Sequence, residues 1–262
     1  MIHVAIISHG HEELLIGSAL GGLLQSDQPL KVWLKDNKPS SKLKTYCAEH
    51  AIFYTDAQPG LGFGHNNNFL YNLIQREIGF AAGDTFIAMN PDITITPTTI
   101  HQLVAQMKRD DAAIATINLY RDPNFLTPDA NVRHFPDLFS IFKIILLRSI
   151  AAAYDKNRIS EPCQVDWASG AFLAFDAMHY STLKGFDLRY FMYFEDVDIC
   201  YRSTLLGKAV RYYPKLKAIH AAAHNNRNIA SKHAVWFFHS FIQFLTRRYL
   251  YNEKRRLNND AK

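Results

Sequence analysis

Short apolar runs alternate with segments of helical period from the first residues onward, and that alternation leaves few folds open. Strands are predicted at Val4–Ser8, Leu30–Lys35, Ile52–Thr55, Phe86–Met89 and Ala112–Asn118, with helices over Leu14–Leu24, Asn66–Ile78 and Thr99–Arg109. The rhythm is that of βαβ units, so an α/β fold is expected: a mostly parallel sheet flanked by helices. One of Asn66, Asn67 or Asn68 is available to cap the second helix. Phe86-Ile87-Ala88-Met89 is continuously apolar, as a strand covered on both faces must be, and Asn90-Pro91-Asp92 stops it. Beyond residue 120 the pattern changes to an aromatic-rich stretch over Asn131–Tyr154, a strand near Phe172–Phe175 and an acidic helix start at Glu195–Asp198. No linker, repeat or low-complexity tract divides the chain, and a single domain is expected.

At 262 residues and 48% hydrophobic content the chain can bury a large core, which excludes a disordered tail. The net charge of +5 points to an anionic partner: phosphate, nucleic acid or lipid headgroups. Nucleic acid is disfavoured because the basic residues concentrate at the C-terminus instead of interleaving with aromatics along strands. Cys47, Cys163 and Cys200 are scattered, so neither a disulfide framework nor a zinc ribbon is encoded and a reducing compartment is expected. Met1-Ile2-His3-Val4 reads as the first strand and not as a signal peptide. The apolar run Phe139–Leu147 contains Lys143, ends at Arg148 and is too short to span a bilayer.

In open α/β sheets ligands sit outside the carboxyl ends of the strands. Asp36-Asn37, the loop Gly60–Gly64 and Asn90-Pro91-Asp92 each follow a strand, although each is also an ordinary turn sequence. The glycine loop is neither a dinucleotide fingerprint nor a P-loop, but its backbone can approach a ligand ahead of a helix start that favours anions. Glu195-Asp196-x-Asp198 follows Tyr190-Phe191-Met192-Tyr193-Phe194 and precedes the helical spacing of Ile199–Leu206. These acids suit a helix N-terminus electrostatically, and beside five large apolar residues one of them suits a desolvated base. His220 and His224 have metal-pair spacing without an H-E-x-x-H, so zinc is disfavoured. His220 with Asp92 and phosphates around a hard divalent cation fits better.

Near the C-terminus, Ala234, Phe238, Phe241, Leu245 and Tyr249 form one helical stripe, opposite His239, Gln243, Thr246 and Arg247. Trp236, Phe237 and Phe244 widen the apolar side, and Arg247, Arg248, Lys254, Arg255 and Arg256 cluster at the far end. Such a helix either lies on an anionic membrane surface or packs on the core. Phe135–Arg148 poses the same alternative with less charge.

With these motifs together the chain resembles family-2 glycosyltransferases, specifically the bacterial rhamnosyltransferases that extend lipid-linked intermediates. The resemblance covers nearly the whole length. It rests on Ile6-Ile7-Ser8-His9-Gly10-His11, Asp36-Asn37-Lys38, Gly62-Phe63-Gly64-His65-Asn66-Asn67-Asn68, Asn90-Pro91-Asp92, Asp166-Trp167-Ala168-Ser169-Gly170-Ala171, Gly185-Phe186-Asp187 and Phe191 to Asp198. It implies a glycosyltransferase-A fold, an inverting mechanism and a nucleotide-sugar donor, dTDP-L-rhamnose first, with UDP-hexose or UDP-galactofuranose as alternatives. The implied acceptor is a polyprenyl-diphosphate-linked sugar of O-antigen or cell-surface polysaccharide synthesis. The implied location is cytoplasmic, peripheral on the inner membrane face. A non-catalytic membrane-associated binding protein is the rival class.

By resemblance Asp196 is the general base and Glu195 the second choice. Ser8, His9, Asp36, Gly64, Asn67, Asn90 and Asp92 line the donor, with Asp36 at the base or ribose. Trp167, Ser169 and Gly170 form the acceptor wall. Asp92 and His220 hold Mg²⁺ or Mn²⁺, and Asn90 replaces the first acid of the family's D-x-D motif. The implied division is a catalytic domain over 1–230, with a nucleotide-sugar half over 1–120 and an acceptor half over 121–230. An amphipathic basic helix and tail occupy 231–262.

Overall fold

The structure, a computed structural model, describes residues 1–25, 30–137, 153–221 and 232–260, with the side chains of the last stretch over 235–251. Most of Phe135–Arg148, all of Phe139–Leu147, and His224 lie outside the described residues. The first half supplies strands β1 (Ile2–Ser8), β2 (Leu30–Asp36), β3 (Phe53–Thr55), β4 (Thr85–Met89), β5 (Ile93–Thr94) and β6 (Ile114–Tyr120). The second supplies β7 (Val132–Arg133), β8 (Cys163–Val165), β9 (Trp167–Ala168), β10 (Phe172–Asp176) and β11 (Val210–His220).

Nine strands form one sheet of order β3-β2-β1-β4-β10-β6-β11-β5, with β8 on β11, while β7 and β9 make a separate ribbon. β1, β2, β3, β4, β6 and β11 run in one direction, and β10, β5 and β8 run against it. Strands of the second half therefore lie between and beside those of the first, with β10 inserted between β4 and β6.

Helices cover both faces, which is why β4 is buried along its whole length. On one face lie α1 (Glu12–Leu14) and α2 (Leu20–Leu24), joined through a π turn at Leu15–Ala19, with α3 (Ser41–Glu49) and α5 (Pro97–Arg109). The other face carries α4 (Phe63–Glu77), α6 (Ala177–Thr182), α7 (Glu195–Leu205) and α8 (Lys232–Asp260). The period-two pattern sorts the strands between these cores: Val4, Ile6, Ile87 and Met89 point one way, Ala5, Phe86 and Ala88 the other. α5 starts where its sequence dictates, with Thr96 Oγ1 accepting from Thr99 N at 3.2 Å and Pro97 in the first turn.

Several expectations change. α4 begins at Phe63, three residues before Asn66, and Gly62 is its cap without a side-chain bond. The asparagine amides point backward instead, Asn66 to Leu61 O at 2.7 Å and Asn67 to Phe63 O at 3.0 Å. No element is predicted over 210–220, yet β11 forms there; Pro214, which cannot donate to a ladder, falls within a register shift between Tyr213 and Lys217. His220 ends that strand and is not in a helix, and its i+4 partner His224 lies outside the described residues.

α8 resolves the C-terminal stripe differently from its helical wheel. Phe241 and Phe244 are fully buried, with Phe237, Leu245 and Tyr251 packed against the same core. Phe238 and Tyr249 face outward at 52% and 63% exposure, beside Val235 at 69%. Arg247 is held by Tyr251 Oη and Asp187, and Arg248 donates to Pro136 O at 2.6 Å, so these two basic residues are committed to the protein.

Candidate active site

The parallel strands deliver their carboxyl ends to one edge of the sheet, and β10, running the other way, starts there. Ser8, Asp36, Asn90–Asp92, Gly170 and His220 all stand at strand termini along that edge. Ser8 and Asp36 are register partners. Asp36 is fully buried; its carboxylate accepts from Lys38 N at 3.2 Å, Ser40 N at 3.1 Å and Tyr54 Oη at 3.4 Å. It thus shapes the turn from 36 to 40 at the sheet edge. Ser8 is buried, with His11 N 3.4 Å from its Oγ, and His9 is exposed. Beneath the turn, buried Lys35 donates to Asn37 Oδ1 and Gln58 O at 3.0 Å each, and burial lowers its pKa against the pull of Asp36 and Asp56.

A second group surrounds Asp92. Asn90 N donates to Ala171 O at 2.9 Å, Ile93 N to Asn90 O at 3.2 Å, and Ala221 N to Asp92 O at 3.0 Å. The β5–β11 pairing sets His220 opposite Ile93, which brings His220 Nε2 to 3.5 Å from Asp92 Oδ2. On its other side the ring meets Asp129 Oδ2 through Nδ1 at 2.6 Å. Burial would lower the His220 pKa, but Asp129 and Asp92 overcome it and raise it to about 9. Burial opposes the charge on Asp129 too, yet His220 and Arg121 hold its pKa at about 2.

Among the described residues no group of three or more His, Cys, Asp or Glu side chains is arranged to hold a metal. Asp92 Oδ1 is nevertheless buried without a partner. A hard divalent cation accepts this arrangement when phosphate oxygens and water complete its shell, because Mg²⁺ keeps few protein ligands. Asp92 and His220 fit that minimal set provided a bound cation displaces the proton that His220 Nε2 turns toward Asp92.

The third group is acidic. Tyr193 and Phe194 both adopt left-handed backbone, at φ 70° and 67°, and Phe194 turns directly into α7. Two consecutive aromatic residues in this region are costly and persist only where the surroundings hold them. The surroundings are α8: Phe194 contacts Phe237, Phe241 and Phe244, and Ser240 Oγ donates to Met192 O at 2.9 Å.

Asp196 follows this turn. Its Oδ2 accepts from Gly170 N and its Oδ1 from Val197 N, both at 2.9 Å. Burial raises the Asp196 pKa, although those N–H groups and Arg133 favour the charged form. Glu195 is buried with Oε2 unpartnered; burial first and the Asp196 charge second push its pKa well above the carboxylate range. The two carboxyls titrate as a pair, and the geometry favours the charge on Asp196, which accepts two backbone N–H bonds while Glu195 Oε2 has no partner. Asp198 is different: it accepts from Arg202 Nε at 2.6 Å, and the same guanidinium also donates to Leu183 O and Gly185 O, so this acid braces the fold.

Gly170, which meets Asp196, is chain neighbour to Ala171, which meets Asn90. The two acidic groups are thus linked across the start of β10. Trp167 is buried and donates to His134 O at 2.8 Å, with the Arg133 guanidinium 5.9 Å from its ring centre. Ser169 Oγ, Asn67 Oδ1 and His65 Nδ1 are buried without partners. Asn68, by contrast, is satisfied by Tyr180 Oη, Phe186 N and Phe186 O. The close approaches that Gly62 and Gly64 permit are to protein: a Cβ on Gly62 would lie 1.9 Å from Phe191 O, and one on Gly64 2.8 Å from Phe186 Cβ.

Asp129, Arg133 and Lys156 were not singled out from sequence. Lys156 Nζ donates to Asn118 Oδ1 at 3.0 Å and to Asn131 Oδ1, and burial lowers its pKa to about 8 despite Asp129 nearby. Only Asp129 had a signal, standing in Thr127-Pro128-Asp129 shortly after β6, where the strand-end rule would place a polar group.

With an Asp–His pair where β5 meets β11, a buried acidic pair in the first turn of α7 and a large mixed sheet between helices, the chain has the glycosyltransferase-A fold and is a glycosyltransferase. The chain is 33% identical over 248 residues to rhamnosyltransferase WbbL of Escherichia coli (strain K12), covering 95% of this chain and 94% of that one. It is 29% identical over 248 residues to the N-acetylglucosaminyl-diphospho-decaprenol L-rhamnosyltransferase of Mycobacterium tuberculosis, covering 86% and 78%. Among solved structures it is similar to mannosyltransferase PcManGT from Pyrobaculum calidifontis in complex with GDP-Man and Mn²⁺. The TM-score is 0.57 at 12% identity, over 86% of this chain and 58% of that one, a likeness of fold. No family model matches the chain. It belongs to the family-2 glycosyltransferases, among the bacterial rhamnosyltransferases.

Proposed function

We propose that this glycosyltransferase moves L-rhamnose from dTDP-L-rhamnose to a polyprenyl-diphosphate-linked sugar, with inversion, in O-antigen or cell-surface polysaccharide synthesis. The observation that carries the reading is the Asp196 carboxylate, aimed by the Gly170 N–H at the sheet edge that also bears Asp92 and His220. In a single displacement the acceptor hydroxyl attacks the anomeric carbon as the nucleoside diphosphate departs, so inversion needs one base and a site for the leaving charge. Asp196 takes the hydroxyl proton; Glu195, protonated, adds no competing negative charge. Asp92 and His220 would hold Mg²⁺ or Mn²⁺, which when bound supplies positive charge to the departing diphosphate. Ser8, His9, Asp36, Asn67 and Asn90 border the donor in the nucleotide-sugar half, residues 1–120, whereas Gly64, expected there as well, packs against Phe186 and Glu195 instead. Trp167, Ser169 and Gly170 border the acceptor in residues 121–230.

Incubation with dTDP-L-rhamnose and lipid-linked N-acetylglucosamine should yield a product heavier by one deoxyhexose, with the anomer opposite to that of the donor by NMR. Transfer only from a UDP-sugar would overturn the donor assignment. Retention would overturn the mechanism.

A lipid-linked acceptor calls for a membrane-facing surface, and this rests on α8. Among the described residues no helix is long and apolar enough to cross a bilayer. Val235, Phe238, Ile242, Tyr249 and Leu250 are exposed on α8, and exposed Phe191, four residues before Glu195, touches the Trp236 ring at 5.1 Å. This apolar strip begins beside the catalytic acids and favours a peripheral position on the inner face of the cell membrane. Replacing Val235, Phe238 and Ile242 together by Glu should reduce flotation with anionic liposomes at least ~10-fold, since each buried apolar side chain contributes roughly 1.5–3 kcal/mol. Unchanged flotation would remove α8 from the membrane surface.

A further inference from the structure

We infer that Asp129 is a positioning residue for cation binding: it fixes which nitrogen of His220 faces Asp92. The inference rests on the reading that Asp92 and His220 hold the divalent cation. Its basis is the path of the chain after β6. Asp122 Oδ1 and Oδ2 accept from the backbone N–H groups of Asn124, Leu126 and Thr127, which folds residues 122–127 into a tight turn. Arg121 N donates to Thr127 O at 2.9 Å, Tyr120 bridges Pro128, and Asp129 N donates to Leu119 O at 2.8 Å. The returning segment is thereby fastened to the end of β6 and carries the Asp129 carboxylate to the His220 ring.

There the carboxylate is held from two sides. Arg121 Nη2 lies 3.3 Å from Oδ1, and His220 Nδ1 lies 2.6 Å from Oδ2. Both side chains are nearly buried, at 12% exposure for Asp129 and 13% for His220. A carboxylate can only accept, so the short contact requires a proton on Nδ1. A histidine that ligates through one nitrogen must carry its proton on the other, and the acceptor at that second nitrogen sets both tautomer and ring plane. With Nδ1 committed to Asp129, only Nε2, 3.5 Å from Asp92 Oδ2, can ligate, and it does so as the cation displaces the proton between that nitrogen and Asp92. Asp92 Oδ1, buried and unpartnered, lies on the same carboxylate. An ion-pair staple between the loop and β11 is the competing role for Asp129. It predicts an effect on stability alone.

The test is Mn²⁺ binding to the full chain with saturating dTDP, read by the EPR signal of free Mn²⁺, for wild type, Asp129→Asn and Asp129→Leu. Melting temperatures and dTDP affinity in EDTA are measured alongside. Asp129→Leu removes the acceptor and should weaken Mn²⁺ binding ~10–100-fold. Asp129→Asn still accepts from Nδ1 without charge and should weaken it less, by a few-fold. Affinity for dTDP in EDTA should stay within about two-fold. If the Leu variant fails to fold, the near-isosteric Asn variant decides: a weakened Mn²⁺ affinity supports the role, and an unchanged one overturns it. Lower melting temperatures with wild-type Mn²⁺ affinity would reduce Asp129 to the staple. Absence of Mn²⁺ binding by the wild type would instead sink the cation reading itself, and this inference with it.

Discussion

Asp196→Asn should lower kcat by ~10²–10⁴, the usual contribution of a positioned general base, while dTDP-rhamnose binds with near wild-type affinity. The two effects separate because of how the carboxylate is held. Asn retains an oxygen that accepts from Gly170 N, now 2.9 Å from Oδ2, so the start of β10 and the turn at 193–194 keep their geometry. The proton acceptor is lost, together with the bond from Val197 N to Oδ1, which the amide nitrogen cannot accept. A variant with weakened donor binding and normal turnover would show that Asp196 is a ligand and not the base.

The acid limb of the pH profile gives a second reading of the same group. The base must be ionised, and burial raises the Asp196 pKa, so kcat should fall as pH drops through a value above the ordinary ~4 of aspartate. Asp196→Asn should flatten that limb. Stability should run in the opposite sense. Glu195 and Asp196 retain protons in the folded state at pH values where the unfolded chain has released them, so stability declines as pH rises through that window. Glu195→Gln, which keeps a neutral group at the same place, should cost far less turnover than Asp196→Asn and should relieve part of this decline.

The βαβ rhythm, β4 with its buried period and the strand-end acids were legible because each is a local pattern with a direct geometric consequence. Asp36 and Asp92 were found by one rule, that polar residues after parallel strands share an edge. The same rule found Asp129 only in retrospect, since its role depends on the return of residues 121–129 along β6, a contact between segments that no local pattern encodes. β11 was hidden for a related reason. Pro214 is tolerated only because the register shifts around it, and without β11 the position of His220 opposite Ile93 is invisible. On α8 the wheel identified amphipathicity but not orientation. Phe238 and Phe241 are one turn apart, yet the first is exposed and the second buried, because the left-handed turn at Tyr193–Phe194 presents its rings to Phe237, Phe241 and Phe244. Tertiary contacts chose the face.

Gly62→Ala is the substitution away from the acids with the largest expected effect. Gly62 has φ −68° and ψ 172°, a backbone open to any residue, so the requirement for glycine is purely one of space. The added Cβ would lie 1.9 Å from Phe191 O, 2.9 Å from its carbonyl carbon and 3.3 Å from its Cα. All three are backbone atoms, and no rotamer change relieves them. Either the start of α4 or the segment around Phe191 must shift by about an ångström or more. The second is three residues from Phe194, where strained backbone is held against α8 and leads directly into Glu195 and Asp196. Misplacing a base by that distance typically costs ~10² in rate. Overpacking adds ~1–3 kcal/mol of destabilisation. The expected result is a kcat reduced at least ~10²-fold and a lowered melting temperature, with dTDP affinity changed much less than kcat. Gly21→Ala, in α2 with no atom within 4 Å of its added Cβ, is the matched control and should leave both quantities at or slightly above wild type. Wild-type turnover and melting in Gly62→Ala would mean that the aromatic turn yields without moving Asp196, and the coupling of the glycine loop to the base would be wrong.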